Sequence, residues 1–253
     1  MNQPMRFYLG TCEPSWLAKV PVPLFISRRR LQRLKTLPRA ITPWALDSGG
    51  FTELLMFGEW RTSPHTYVAL VRRYYDQIGH LEWAAPQDWM CESDMLNRTG
   101  LTVAEHQTRT VDNYLTLRTL AADLPIVPTL QGWTVDDYLR HVDQYAEAGI
   151  NLERLDRVGL GSVCRRQATG EAENIVQRLQ PLKLHGFGMK TDAVHRFGQL
   201  LTSSDSMAWS YAGRRRPSPG CTKTTCNNCL HYALEWRERL HTPRTPTLFG
   251  IAS

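Results

Sequence analysis

No run of eighteen apolar residues occurs in this chain, and no charged-then-apolar leader opens it, so the sequence offers neither a membrane span nor a secretory signal. Gly/Ser-rich linkers and internal repeats are also missing, and the expectation is a single domain over 1–253. Neither a GxGxxG fingerprint nor a GxxxxGK[ST] loop is present, which removes two common nucleotide-binding signatures. Six cysteines in a chain of this size do not make a disulfide framework; Cys12, Cys91 and Cys164 are scattered and read as ordinary buried thiols. What remains is a cytoplasmic globular protein, and its 42% hydrophobic residues suffice for a full core. Acidic side chains are the scarcer sign of charge, 24 against 30 Lys and Arg, and the net +6 favours an anionic partner.

Along the chain, short apolar runs at 7–9, 44–46, 81–85, 126–130, 157–160, 182–187 and 200–204 alternate with helical periods at 66–78, 103–121, 135–148, 171–179 and 192–201. Thr134 with Asp136 and Asp137 makes a cap with an acidic first turn, and Gly149 stands where a helix would end. This alternation predicts an α/β fold with a parallel sheet, either a closed (β/α)8 TIM-type barrel or an open doubly wound sheet. The ends of the strands decide between them. Asp47, Asp88, Gln131, Gly159 with Gly161, Gly186 and Asp205 each fall at or just after a different run. An open sheet gathers its site at one switch point, whereas a barrel gathers it from the whole rim. The barrel is the expectation, with Asp47 and Asp205 facing each other across its mouth.

Paired carboxylates across a ligand suit glycosidic chemistry, one attacking the sugar carbon and one moving protons. Taken singly, each aspartate also fits a turn or cap. Asp88, beside Trp89, and Gln131 can hydrogen-bond the edge of a flat heterocycle, and the glycines let backbone approach it. Two basic clusters, Arg28, Arg29 and Arg30 with Arg33 and Lys35, and Arg214, Arg215 and Arg216, read as phosphate contacts or as solvated loops. Cys221, Cys226 and Cys229 form C-x4-C-x2-C, which reads as a structural zinc site or as a cluster of free thiols. His231 is the expected fourth ligand; His241, at the far end of a straight helix, would lie about 18 Å away. A basic and zinc-binding segment over 214–241 is therefore expected at the C-terminal end.

The segments DSGGF (47–51), PQDWMCE (86–92), LQGW (130–133), VGLGS (158–162), LHGFG (184–188) and SSDS (203–206), followed by the cysteines, resemble the tRNA-guanine transglycosylase family in content and order. QDWMCE and AWSYAGRRR are most similar to its DpdA branch, which inserts 7-deazaguanines into DNA in bacteria and their phages. The resemblance implies a zinc-containing (β/α)8 barrel that exchanges guanine for a 7-deazaguanine such as 7-cyano-7-deazaguanine. It implies Asp205 as the nucleophile toward C1′ and Asp47 as the acid/base. It further implies Asp88 and Gln131 as readers of the base edge, Gly159 and Gly161 as the backbone beside them, and Gly186 as part of a covering loop. Cys221, Cys226 and Cys229 match the metal site by order alone, since the tRNA enzymes carry C-x-C-x2-C with a distant histidine. The expected partners are DNA, a 7-deazaguanine base and helper proteins that open the duplex. The alternatives are the same exchange on tRNA and a non-catalytic nucleic-acid-binding subunit.

Overall fold

A parallel sheet covered on both faces needs strands that carry bulky side chains on both faces, and the apolar runs of this chain do so. In the computed structural model, which describes residues 5–164, 166, 170–219, 221 and 224–241, they form eight strands. These are β1 (Arg6–Thr11), β2 (Leu24–Ser27), β3 (Trp44–Asp47), β4 (Leu81–Ala84), β5 (Thr129–Leu130), β6 (Val158–Leu160), β7 (Leu184–Gly186) and β8 (Ser203–Ser206). All pair in parallel, in the order β4-β3-β2-β1-β8-β7-β6-β5. The sheet is curled. Its terminal strands approach through a lone parallel bridge, Ala84 to Ile126, with Ala84 N–H donating to Pro125 O (2.9 Å) and Val127 N–H to Ala84 O (3.1 Å).

Period-two alternation sends Phe7 and Leu9 to one face of β1 and Tyr8 to the other. Tyr8 meets Ala45 and Trp83, with Phe25, Val127 and Phe187 packed around them, so side chains from strands far apart in the sequence fill one interior. Arg157 lies over the Tyr8 and Trp83 rings at 5.7 and 5.2 Å.

The connections are α1 (Arg28–Leu31), α2 (Gly50–Phe57), α3 (Pro64–Ile78), α4 (Ser93–Thr99), α5 (Val103–Leu120), α6 (Val135–Glu147), α7 (Gly170–Arg178) and α8 (Thr191–Phe197). Thr102 and Thr134 close capping boxes with Glu105 and Asp137, and Gly149 takes the left-handed conformation (φ 80°) just beyond α6, as its position predicts. β2 is the strand that the sequence pattern misses. Its four residues stand between Pro21 and Pro23 on one side and the arginine triplet on the other, so they read as loop. Asp205 lies inside β8 and not beyond it, because Gly198–Leu200 forms a 3-10 turn that delays the strand.

The chain folds as two compact units, Met1–Ala208 and Trp209–Ser253. The second holds α9 (Ala208–Arg215), apart from its first residue, and α10 (Leu230–His241), and the expected segment 214–241 falls within it. No helix among the described residues is long and apolar enough to cross a membrane.

One buried ion pair ties the start of α1 to α2. Arg28 is 2% exposed; its Nη2 meets Glu53 Oε1 at 2.6 Å and its Nε donates to Ser48 O at 2.6 Å. Glu53 also accepts from Arg61 N–H and from the backbone and hydroxyl of Thr62. Burial alone raises the Glu53 carboxyl, but Arg28 and Thr62 outweigh it and the net shift is downward. The expectation that Arg28 grips phosphate is thus overturned: this guanidinium is committed inside the protein. Removing one partner strands the other charge, so Arg28→Met should cost about 3–5 kcal/mol in urea unfolding, and Arg28→Met/Glu53→Met should recover part of it.

Candidate active site

The C-terminal ends of the strands deliver the expected polar residues to one place. Asp47 ends β3, Asp88 follows β4, Gln131 follows β5, Gly161 follows β6, and Asp205 lies in β8; all five line a cavity of about 170 Å³. A wider cavity of about 570 Å³ shares Asp47, Asp205 and Gly188 with it and is walled by Arg29, Arg30 and Arg33. The two aspartates therefore stand where a narrow cleft opens into a broad basic one.

Asp47 keeps part of its surface toward the cavities, yet its pKa is raised. Burial is the main cause and the nearby Asp205 adds to it, while the Ser27 hydroxyl, the Gly49 N–H (3.2 Å) and Arg28 oppose it. Ser27 stands opposite Asp47 in the β2–β3 register, so parallel pairing supplies this donor directly.

Asp88 is buried, and its Oδ2 accepts from Gln131 Nε2 at 2.5 Å. Burial, helped by Asp47 and Glu92 and opposed by Gln131, raises its pKa to about 7. Gln131 Oε1 in turn lies 2.7 Å from Ser162 Oγ, which is also 2.9 Å from Glu92 Oε2 and accepts from Cys91 N–H. Gly161 is required here because a Cβ would fall 2.2 Å from Gln131 Nε2. Its role is to let the glutamine amide lie across the backbone.

Asp205 Oδ1 accepts from Gly188 N–H at 3.0 Å and faces His185 Nε2 at 3.3 Å. His185 is fully buried and its pKa is lowered by that burial, which holds the ring neutral. The sequence pattern singles out the glycines of LHGFG and passes over this histidine. A titratable side chain in the middle of a buried strand was the available signal.

Two expected base contacts lie elsewhere. A Cβ on Gly159 would strike Thr129 Oγ1 and the Phe187 ring, and one on Gly186 would press on Met189 and Leu201. Both glycines serve packing beneath the cleft; Phe187 and Gly188 line it instead. Of the first arginine cluster, Arg29 and Arg30 reach the basic cavity and Arg28 does not. Arg214, Arg215 and Arg216 are exposed at the end of α9 in the second unit, where Arg215 stacks over Tyr211 at 4.2 Å.

In that unit the sulfurs of Cys221, Cys226 and Cys229 lie within 4.8 Å of one another. Cys226 N–H donates to Gly213 O and Cys229 N–H to Cys226 O, which folds the knuckle around a common centre. Thiolates on a tetrahedral zinc at about 2.3 Å stand roughly 3.8 Å apart, so the set fits three of four ligands of such an ion. His231, the expected fourth ligand, stands apart from these sulfurs. Its Nε2 pairs with Glu235 Oε1 at 3.0 Å, one turn along α10, and the side chain points into solvent (75% exposed). The side chain of His241 lies outside the described residues.

A family model described as DpdA, deoxypurine in DNA protein A, matches residues 3–248, and the chain belongs to that family. A search of curated proteins found no match.

The buried Asp88 links stability to pH. Its folded pKa of about 7 exceeds the unfolded value, so the native state holds the proton longer and stability falls as pH rises between roughly 4 and 7. Asp88→Asn removes that loss. Its melting temperature relative to wild type should climb across this window and level off above about pH 7; a difference independent of pH would refute the buried carboxylate.

Proposed function

We propose that this DpdA family member exchanges a guanine of DNA for a 7-deazaguanine base, such as 7-cyano-7-deazaguanine, through a glycosyl ester on Asp205. The carrying observation is the unlike pair of carboxylates on the wall common to both cavities. Asp47, its pKa raised by burial, is the one suited to carry a proton, whereas Asp205 has the Gly188 N–H and His185 Nε2 directed at one of its oxygens. Two carboxylates with different partners across one site are a usual arrangement for one acid and one nucleophile.

In the first half-reaction an Asp205 oxygen forms a bond to C1′ while the C1′–N9 bond breaks, and its electron pair leaves on guanine. Asp47 donates its proton to that base. In the second, N9 of the incoming base attacks C1′, Asp47 takes up the N9 proton, and the C1′–O bond electrons return to Asp205. Asp88 and Gln131 hold the N–H edge of either base in the narrow cleft, and the target nucleotide leaves the stack to enter it. Arg29, Arg30 and Arg33 would hold flanking phosphates, with binding that weakens steeply as salt rises. The Ala84–Ile126 bridge supports reading the curled sheet as a closed (β/α)8 barrel, whose rim is the usual place for such a site.

Cys221, Cys226 and Cys229 would hold a structural zinc, which when bound supplies folding energy to the second unit. Purified protein should carry about one zinc per chain by elemental analysis, and Cys226→Ser should lose most of it while lowering the melting temperature. Exchange is tested by supplying labelled 7-cyano-7-deazaguanine with guanine-containing DNA or with tRNA. Label is expected in DNA with guanine released, and Asp205→Asn should lose at least about 10³-fold in rate. Label entering only tRNA would replace the polymer in this reading, and exchange by Asp205→Asn at the wild-type rate would remove the nucleophile.

A further inference from the structure

Asp205 is held on one side only. Its Oδ1 receives Gly188 N–H at 3.0 Å and lies 3.3 Å from His185 Nε2, while among the described residues nothing hydrogen-bonds Oδ2. An ionised carboxylate, the form a nucleophile needs, only accepts, so Nε2 facing Oδ1 carries the imidazole proton. Nδ1 is then the unprotonated nitrogen, and Ser203 Oγ at 2.9 Å donates to it. Ser203 stands opposite His185 in the β7–β8 register, two residues before Asp205 on the same face of the strand. Trp83 at 4.4 Å and Phe187 at 4.8 Å, with Tyr8 and Phe25 at 5.8 Å, enclose the ring and leave it one orientation.

We infer that His185 is a positioning residue for the exchange, fixed by Ser203 so that its Nε2–H and the Gly188 N–H bind Oδ1 of Asp205 and leave Oδ2 as the oxygen that attacks C1′. This rests on the reading of Asp205 as the nucleophile. Once the ester forms at Oδ2, Oδ1 becomes its carbonyl oxygen, still facing the same two donors. When the incoming base attacks C1′ and the C1′–Oδ2 bond breaks, negative charge returns to the carboxylate and those donors are already aimed at it. Such preorganised donors act most on developing charge and least on ground-state binding. Neutral imidazole suits the task, since a fixed positive charge here would hold Asp205 as an ion pair and blunt its attack.

The inference is tested with His185→Phe, which fills the aromatic enclosure without a donor, and His185→Gln, which restores an N–H. With 7-cyano-7-deazaguanine and a guanine-containing single-stranded oligonucleotide, His185→Phe should lower kcat about 10²-fold while KM for the base stays within about twofold. His185→Gln should regain about tenfold of that loss. A His185→Phe kcat within about threefold of wild type, or a His185→Gln variant as slow as His185→Phe, overturns the inference. Long-range 1H–15N correlation spectra of the resting wild-type protein give an independent check. The Nε2–H tautomer at His185 is expected, and an Nδ1–H tautomer would refute the arrangement whatever the activity. An inactive Asp205→Asn beside a fast His185→Phe sinks this inference alone, whereas an Asp205→Asn variant as fast as wild type sinks the nucleophile as well.

Discussion

Four carboxylates, Asp47, Asp88, Glu92 and Asp205, share the wall of one cavity of about 170 Å³, and the arrangement around it follows from that constraint. Charges this close repel, and each loses hydration, so each needs donors fixed in place. The donors come from the neighbouring strand or the turn beyond it. Ser27 stands beside Asp47 across β2–β3, Gln131 reaches Asp88 from the end of β5, and His185 reaches Asp205 from β7. Parallel register makes this economical, because one shift of pairing would turn every donor to the other face of the sheet. The Arg28–Glu53 pair extends the same logic outward: by binding Ser48 O it fixes the turn that follows Asp47.

The strand ends were legible because function leaves irregular residues at regular places. DSGG, QD and LQG interrupt apolar runs where a covered sheet would otherwise continue hydrophobic, and Asp47, Asp88 and Gln131 do reach one cavity. Side-chain direction was not legible. Arg28, Arg29 and Arg30 look equivalent in the sequence, yet they occupy a strand-to-helix junction where successive residues diverge. One is buried in an ion pair and the other two line the basic cavity. His185 escaped for a related reason: in a strand buried on both faces, no alternation distinguishes an interior side chain from one beneath a helix. His231 shows the opposite failure. Nearness in sequence to Cys229 suggested ligation, but the start of α10 turns the ring toward Glu235.

The second unit obeys a different constraint. Among the described residues it holds α10 and most of α9, and its clustered side chains are thiols instead of carboxylates. Three thiols gathered around one point, with the Cys226 backbone bound to Gly213, would cross-link the knuckle beside the end of α9. The absence of a side chain at Gly213 is part of this, because a Cβ there would fall 2.6 Å from Cys226 O.

The carboxylates also bear on what kind of protein would keep such a cleft. A pocket that only bound a neutral flat base would gain from Asp88 and Gln131, which meet its N–H edge, and from the aromatic walls. It would gain nothing from Asp47 and Asp205, whose mutual repulsion and lost hydration both weaken the resting fold. In the proposed reaction the two exchange states: Asp47 becomes charged as it gives up its proton while Asp205 loses its charge to carbon, so the pair would carry a single negative charge throughout. In the proposed arrangement neutral His185 and the Gly188 N–H would hold the oxygen that does not react and leave the charge a single outlet, toward the cleft proposed to hold the base.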